Sequence, residues 1–450
     1  MAWLSVAGSL WLAACGGGGS EAEPPADSPR LAADRTAVHV GDQVLLTASF
    51  RAGQARIEPG LGAVASGVPL RSPVLDRDTV FELVVEAPGR PVQRHSLAVA
   101  VSYRDRYAAT GSSFAASQHS AVAAADGSVL LIGGSRGEGT LSDAVDRFDP
   151  ATGRVQRIGT LAAGRAAHKA TRLDDGQILL TGGLFSDTQW RRAELVDERS
   201  GQSSPAGTMS VARVDHAALL LPDGRVLVSG GYATGERAPL GISDSAELWD
   251  PATRQFRRLA QRMSVGRAAH TMTLLADGRV LIVGGYSAAA DYRFAEIFDP
   301  RDERFTPVAD AQALRANHVA QRQADGRVLI LGGETVPAGG DAILPLASVL
   351  RFDPASGRFE TVKPLAVPRT WAAGVPPPSG ALLLFGGQQA MPRYSASAER
   401  YDPASGGQLI AALDGERALH SATRLADGRV LLAGGEAWGG AFRSSLLVYE

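Results

Sequence analysis

The sequence predicts an all-β protein, a seven-bladed β-propeller of four-stranded sheets preceded by a small β-sandwich. Three observations carry that prediction. Gly-Gly pairs recur at 133, 182, 230, 284, 332, 386 and 434, spaced by 49, 48, 54, 48, 54 and 48 residues, and a period near 50 marks a propeller or array. Each pair closes a run that is apolar on both faces, such as Val226-Leu227-Val228 or Val328-Leu329-Ile330-Leu331, as a sheet packed between two others requires. The 450-residue chain carries 52 Gly, 25 Pro and 6% aromatic residues, the composition of short strands joined by tight turns.

Taken in chain order, the first element is the apolar stretch from Trp3 to Ala14, of signal-peptide size and too short to span a bilayer. It ends at Cys15, the single cysteine, which excludes an intrachain disulfide and any multi-thiolate metal site. Leu12-Ala13-Ala14-Cys15 resembles the lipobox of bacterial lipoproteins. The resemblance implies that residues 1–15 are a cleaved leader, that Cys15 carries lipid, and that residues 16–30 are a flexible tether. The expected location is the cell envelope, with the outer membrane preferred and the folded part outside the cytoplasm. Residues 31–103 alternate apolar and polar over Val38 to Thr47, Thr79 to Val85 and Ser96 to Tyr103, which predicts a small all-β domain. With Ile57-Glu58-Pro59-Gly60-Leu61-Gly62, this pattern resembles the immunoglobulin-like sandwiches of bacterial surface proteins, which act as spacers.

Residues 104–450 hold the repeats. Before each apolar run stands a turn dipeptide, Asp126-Gly127, Asp175-Gly176, Asp223-Gly224, Asp277-Gly278, Asp325-Gly326 and Asp427-Gly428, with Ser379-Gly380 in the sixth repeat. Asp-Gly predicts a type I′ hairpin. After the Gly-Gly and a variable loop comes a third strand ending at Phe148, Val196, Trp249, Phe298, Phe352, Tyr401 or Tyr449. An Asp-Pro turn such as Asp250-Pro251 follows, and a fourth strand is anchored at Val155, Phe256, Phe305 or Phe359. Gly-Gly, an aromatic and a second aromatic seven residues later resemble the kelch repeat, which implies a kelch-type, galactose oxidase-like propeller. The seventh repeat stops at its third strand, so Tyr107 to Phe114 is expected to supply the missing outer strand and close the ring.

Candidate chemistry begins with one repeat position that holds His119, His168, His216, His270, His318 and His420, a place we assign to Trp371 in blade six. Arg165, Arg213, Arg267, Arg315, Arg369 and Arg417 stand just ahead of it, with Ala116 in blade one. Metal ligands must lie within about 2.1 Å of the ion. Equivalent residues on separate blades cannot converge so closely, so we expect the histidines to be structural and no metal to be held. Glu194, Glu247, Glu296 and Glu399 are expected to pair with the repeat arginines between blades.

The sequence contains no Gly-x-Ser-x-Gly elbow, His-Glu-x-x-His, phosphate loop or Asp-rich calcium loop, so no catalytic residue and no cofactor is assigned. The copper site of galactose oxidase uses a tyrosine crosslinked to cysteine, and with Cys15 alone that chemistry is not expected here. Net charge of −2 with 20% charged residues carries no nucleic-acid footprint.

The expected function is that of a membrane-anchored binding or scaffold protein recognising a glycan, peptide or protein through propeller loops. The alternative is a carbohydrate-active enzyme similar to periplasmic sialic acid epimerases. The segments from the second glycine to the aromatic position span 14, 13, 18, 13, 19, 14 and 14 residues, so blades three and five carry the insertions Tyr232 to Asp244 and Glu334 to Ser348. Unequal loops on a rigid scaffold mark the functional face. In kelch propellers this loop and the segment before the first strand share one rim. Carried onto this chain, the candidate binding set is Arg165, Arg213, Arg267, Arg315, Arg369 and Arg417 with Tyr232, Arg237, Tyr286, Tyr292, Glu334, Trp371 and Trp438.

Overall fold

The computed structural model describes residues 28–185, 191–235, 238–287, 295–308, 315–335, 343–376, 381–390 and 393–450. Cys15, Arg237, Tyr292 and the Ser379-Gly380 turn lie outside the described residues. The chain forms two compact units, one of residues 1–36, 44–73 and 80–99 and the other of 37–43, 74–79 and 100–450.

Strands near the N-terminus form two sheets. One is antiparallel and orders Arg30–Ala33, Leu45–Ser49 and Pro69–Arg71. The other runs Ala37–His39, Gln93–Ser102, Thr79–Glu86, Gln54–Glu58 and Gly62–Val64, with its first pair parallel. Burial alternates along most of these strands, so Leu46, Ile57 and Phe81 are fully buried between more exposed neighbours, whereas Leu83, Val84 and Val85 are buried in succession.

The second unit is built on seven four-stranded sheets, with small two- and three-stranded sheets beside them. In the first, Ser120–Ala123, Val129–Ile132, Ala144–Asp149 and Arg154–Thr160 pair antiparallel in chain order, and the next five repeat that meander. The seventh takes Ser421–Arg424, Val430–Ala433 and Ser445–Tyr449, and its outer strand is Tyr107–Ser113. Tyr107 lies opposite Tyr449 and Ser113 opposite Ser445, so the strand expected from Tyr107 closes the ring. Aromatic packing seals the junction: the rings of Tyr107 and Tyr449 are 5.3 Å apart and Phe385 meets Tyr449 edge-on at 5.5 Å.

Hydrophobic burial is concentrated between blades. One cluster joins Leu281 and Val283 of blade four to Val328, Ile330 and Phe352 of blade five, and another joins Leu431 and Val448 of blade seven to Val129, Leu131 and Phe148 of blade one. The seven-residue aromatic spacing has a direct cause. Phe298 and Phe305, like Phe352 and Phe359, are cross-strand partners flanking the Asp-Pro turn, with centroids 4.8 and 4.9 Å apart.

The Asp-Gly turns differ from expectation. Only the glycine has positive φ, 84° at Gly127 and 83° at Gly224, whereas a type I′ turn needs two such residues. Gly127 N–H donates to Ala124 O at 3.1 Å and Ala124 N–H to Ser128 O at 2.9 Å, which is a type I turn followed by a left-handed glycine, a three-residue loop. The aspartate closes the loop from its side chain. Asp126 Oδ1 accepts from Ser128 N–H at 2.9 Å, and Asp175 and Asp223 do the same two residues on.

The Gly-Gly pairs are required by contact between blades. A Cβ on Gly182 would lie 2.3 Å from Arg213 O, and one on Gly386 2.2 Å from Arg417 O. The second glycine donates to the same carbonyl, as from Gly183 to Arg213 and from Gly435 to Ala116, each at 2.8 Å. Backbone thus approaches backbone where no side chain fits.

Candidate functional site

The two segments expected to share a rim do so. Ala268 bridges Tyr286, Ala316 bridges Glu334, Thr370 bridges Gln388 and Ala418 bridges Glu436, so the segment before each first strand pairs with the residue after the Gly-Gly. In blade three the inserted loop forms strands Tyr232–Gly235 and Ala238–Ile242 against Ala212–Val214.

The six arginines of that rim are not open to a ligand. Each is buried at 0–2% exposure. Arg267 donates to Glu296 at 3.0 Å, Arg213 to Glu247 at 3.0 Å and Arg369 to Glu399 at 2.9 Å, and Arg165 also donates to Glu194. Their main chains are held by the preceding blade, as in Arg165 N–H donating to Ser142 O and Arg267 N–H to Ser243 O, both at 3.1 Å. The arginine–glutamate pairs thus lie within one blade and not between blades as expected, because both residues belong to the same sheet and its rim segment; the arginine main chain is what ties each blade to the one before it. Blade seven replaces the glutamate with Asp414, 3.0 Å from Arg417. Blade five has Leu350 at that register, so Arg315 bonds only Ser348 and backbone carbonyls among the described residues, and burial pushes its pKa down to about 10. Blade one is the converse: without an arginine at Ala116, burial pushes the Asp146 carboxyl up.

The histidines form a second interblade seam. Nε2 of His216 lies 2.9 Å from Thr181 Oγ1, that of His270 2.9 Å from Ser229 Oγ, that of His318 2.8 Å from Thr271 Oγ1 and that of His119 2.8 Å from Ser421 Oγ, in each case a hydroxyl on the preceding blade. Desolvation drives all six below the usual imidazole range, to about 4 at His119 and about 3 at His318 and His420. No cluster of three His, Cys, Asp or Glu able to hold a metal ion occurs among the described residues.

The assignment of Trp371 to the histidine position is corrected. Trp371 has φ of 53° and aligns with Gln118, Ala167, Asp215, Ala269, Asn317 and Leu419, all left-handed, each one residue before a histidine. Ala372 stands in the histidine's place, since a Cβ on Gly387 would meet Ala372 as one on Gly183 would meet His168. The left-handed residues form a belt. Gln118 N–H donates to Leu419 O, Ala167 to Gln118, Ala269 to Asp215, Asn317 to Ala269 and Trp371 to Asn317, over 2.8–3.3 Å, so the backbone is hydrogen-bonded from blade to blade at five of the seven junctions. Seven non-glycine residues with positive φ, each costing on the order of 1 kcal/mol, are a recurrent strain that this belt holds in place.

Side chains of that belt and of the rim meet on blades three to five, at the end of the innermost strands that we take as the channel mouth. Glu334 is fully buried. Its Oε1 accepts from Asn317 Nδ2 at 2.8 Å and from Tyr286 OH, while Oε2 has no partner among the described residues. Burial and the Glu334 carboxylate raise the Tyr286 phenol, and burial followed by the charges of Asp215 and Glu334 raises that of Tyr232. Asp215 is raised by burial and partly restored by Lys169. Lys169 is solvent-exposed, yet surrounding protein lowers its pKa against the pull of Asp215.

Of the expected binding set, Tyr232, Tyr286 and Glu334 gather here and Trp371 joins the belt, half-buried. Trp438 stands on the blade-seven loop at 46% exposure. Asp215, Asn317 and Lys169 escaped sequence reasoning. The signal for the first two was available: one residue before the repeated histidine, the type varies from blade to blade. This set offers hydroxyl, carboxylate, amide and amine groups, which suits recognition of hydroxyl-rich ligands.

No family model matches the sequence, and no curated protein matches it. Among solved structures the fold is similar to a fungal alcohol oxidase of the AA5 family in complex with copper, with a TM-score of 0.60 at 17% identity over 76% of this chain and 75% of that one. It is also similar to YjhT, with a TM-score of 0.49 at 14% identity over 64% of this chain and 95% of that one. At these identities the likeness concerns the fold, an all-β propeller of the galactose oxidase-like kind.

Proposed function

We propose that the chain is a lipid-anchored binding protein of the bacterial cell envelope that takes a glycan at the channel mouth of its propeller. The observation that supports this most is the Tyr286–Glu334–Asn317 set. Glu334 is itself too buried to touch a ligand; its carboxylate fixes the hydroxyl of Tyr286 and the amide of Asn317, both half-buried, and these are the groups offered to the sugar. Tyr232, Asp215 and Lys169 supply further donors and acceptors nearby, so the mouth can satisfy several sugar hydroxyls at once. Cys15 carries the lipid, residues 16–30 act as tether, and residues 31–103 act as an immunoglobulin-like spacer that holds the propeller away from the membrane.

The test is calorimetric titration of the soluble chain with oligosaccharides identified on a glycan array. Tyr286→Phe, which removes a hydroxyl offered to the sugar, and Glu334→Gln, which loosens the hold on that hydroxyl, should each weaken binding about 10-fold or more. Unchanged affinity in both would exclude this site. Cys15→Ser should move the protein from membrane to soluble fraction, and an unmodified Met1 terminus on the native protein would exclude the anchor.

A second reading, a carbohydrate-active enzyme, is favoured by the Asp215 carboxyl, which burial raises toward the range of a proton donor. Recovery of the bound glycan unchanged after prolonged incubation, read by NMR, separates binding from turnover.

A further inference from the structure

We propose that the rim of blades six and seven carries a second saccharide subsite, in which the indole of Trp438 stacks on one face of a pyranose ring and Glu436 accepts hydrogen bonds from its hydroxyls. The proposal rests on the glycan reading of the channel mouth and makes its ligand a chain of several sugar units.

Trp438 is the exposed tryptophan among the described residues, at 46%, whereas Trp249 is buried and Trp371 half-buried. It is nevertheless held in place. Gly440 N–H donates to Ala437 O at 3.1 Å, so Trp438 is the first central residue of a tight turn, and Gly439 at φ 89° follows as a type II turn requires. Ala437 N–H donates to Ala441 O at 2.8 Å and Glu436 N–H to Ala418 O at 2.9 Å, which fixes the base of the loop. Tyr394 from blade six meets the indole edge-on, with centroids 5.7 Å apart and planes at 89°. Its hydroxyl donates to Glu436 Oε1 at 3.4 Å. The contact with Tyr394 uses the ring edge of one partner, and much of the indole surface stays in water.

Chemistry chooses the occupant. A pyranose has an apolar face of C–H groups and a periphery of hydroxyl donors, matching an indole beside an acceptor-only carboxylate. An indole alone would suit a proline ring as well, but a prolyl segment lacks donors for Glu436. Continuity places the subsite on one path with the channel mouth. Glu334, Gln388 and Glu436 occupy the same repeat position on blades five, six and seven, each bridged to the segment before the first strand of its blade. The strands Leu344–Pro345 and Gln388–Ala390 of neighbouring rim loops lie against one another. A chain bound beside Tyr286 and Asn317 and running along this rim reaches Trp438.

The experiment is affinity measurement over cello-, xylo-, chito- and galacturono-oligosaccharides of one to six units, with the whole chain and its Trp438→Ala, Glu436→Gln and Glu334→Gln variants. The expected result is a series in which affinity rises with length, Trp438→Ala removes the rise for long members by about 10-fold or more, and the shortest bound member is unaffected. Tryptophan fluorescence should change on binding of the long member, and the change should vanish in Trp438→Ala. Equal losses at all lengths, no loss at any length, no bound member in the panel, or a fluorescence change at Trp438 with a prolyl peptide in place of sugars would each overturn the proposal. If Glu334→Gln alone leaves affinity intact while Trp438→Ala does not, the channel-mouth reading fails and this subsite stands.

Discussion

Acid should dismantle the propeller well before its carboxylates titrate. His168, His216, His270 and His318 are buried at 1–6% exposure, and desolvation lowers all four, His318 to about 3. An unfolded histidine titrates near 6.5. The folded pKa is below the unfolded one, so the unfolded chain binds the proton first, and the stability present above about pH 6.5 is lost as pH falls. Between pH 7 and 5 each such histidine costs about 2 kcal/mol, or about 8 kcal/mol for the four, comparable with the whole stability of an ordinary domain. Asp146 and Asp215, whose carboxyls burial raises, act in the opposite sense and offset a fraction of this. Carboxylates in their usual range barely titrate in this window, so it isolates the imidazoles. Urea unfolding of the soluble chain at pH 7, 6 and 5 reads the effect as a falling midpoint, with a slope set by about six protons taken up near pH 5, those of the four and of His119 and His420. Replacing His216 by Gln should lower that uptake by about one. A midpoint that moves by less than the equivalent of about 1 kcal/mol would refute the neutral, buried histidine seam.

Further outcomes follow from the same geometry. Removing residues 1–103 should leave a folded propeller, whereas removing 1–116 deletes the outer strand paired with Ser445–Tyr449 and should not; equal melting temperatures for the two truncations would contradict the closure. Glu296→Ala leaves the guanidinium of Arg267, at 0% exposure, without its carboxylate and should cost about 3–5 kcal/mol by denaturant titration. Leu350→Glu supplies Arg315 with the carboxylate other blades provide, and its cost should stay below about 1 kcal/mol, far less than an unpaired buried charge. Trp371→Gly should change stability by about 1 kcal/mol or less, because release of left-handed strain counters the lost packing, while weakening glycan affinity in the calorimetric titration.

Most of the architecture was legible because each repeat states the same physical requirement several times. Gly182-Gly183 is glycine because Arg213 O occupies the Cβ position, and that clash recurs at every pair, so its period in the sequence is the period of the ring. Tyr107 was recognisable as an outer strand because the last repeat ends without one. The site was less legible for the same reason. Repetition made the arginines conspicuous, and they prove to be interior, paired within their own blades with Glu247, Glu296 and Glu399. Asp215 and Asn317 were passed over because only the φ angles reveal that the residue before the histidine, free to vary in type, is the one on the channel belt. Trp371 was misplaced by one position because an aromatic in the histidine's neighbourhood was matched by type, whereas backbone geometry puts Ala372 there. The turn type was misread because Asp-Gly fits both a two-residue and a three-residue loop, and the hydrogen bond from Gly127 to Ala124 decides between them.

The claim that the channel mouth is the ligand site is tested most directly by a crystal structure of the soluble chain soaked with its tightest array-selected oligosaccharide. The account predicts sugar density within hydrogen-bond distance of the Tyr286 hydroxyl and the Asn317 amide, flanked by Tyr232 and Asp215. Density confined to the opposite face, among the Asp126-Gly127 and Asp223-Gly224 turns, with the mouth holding only solvent, would contradict it.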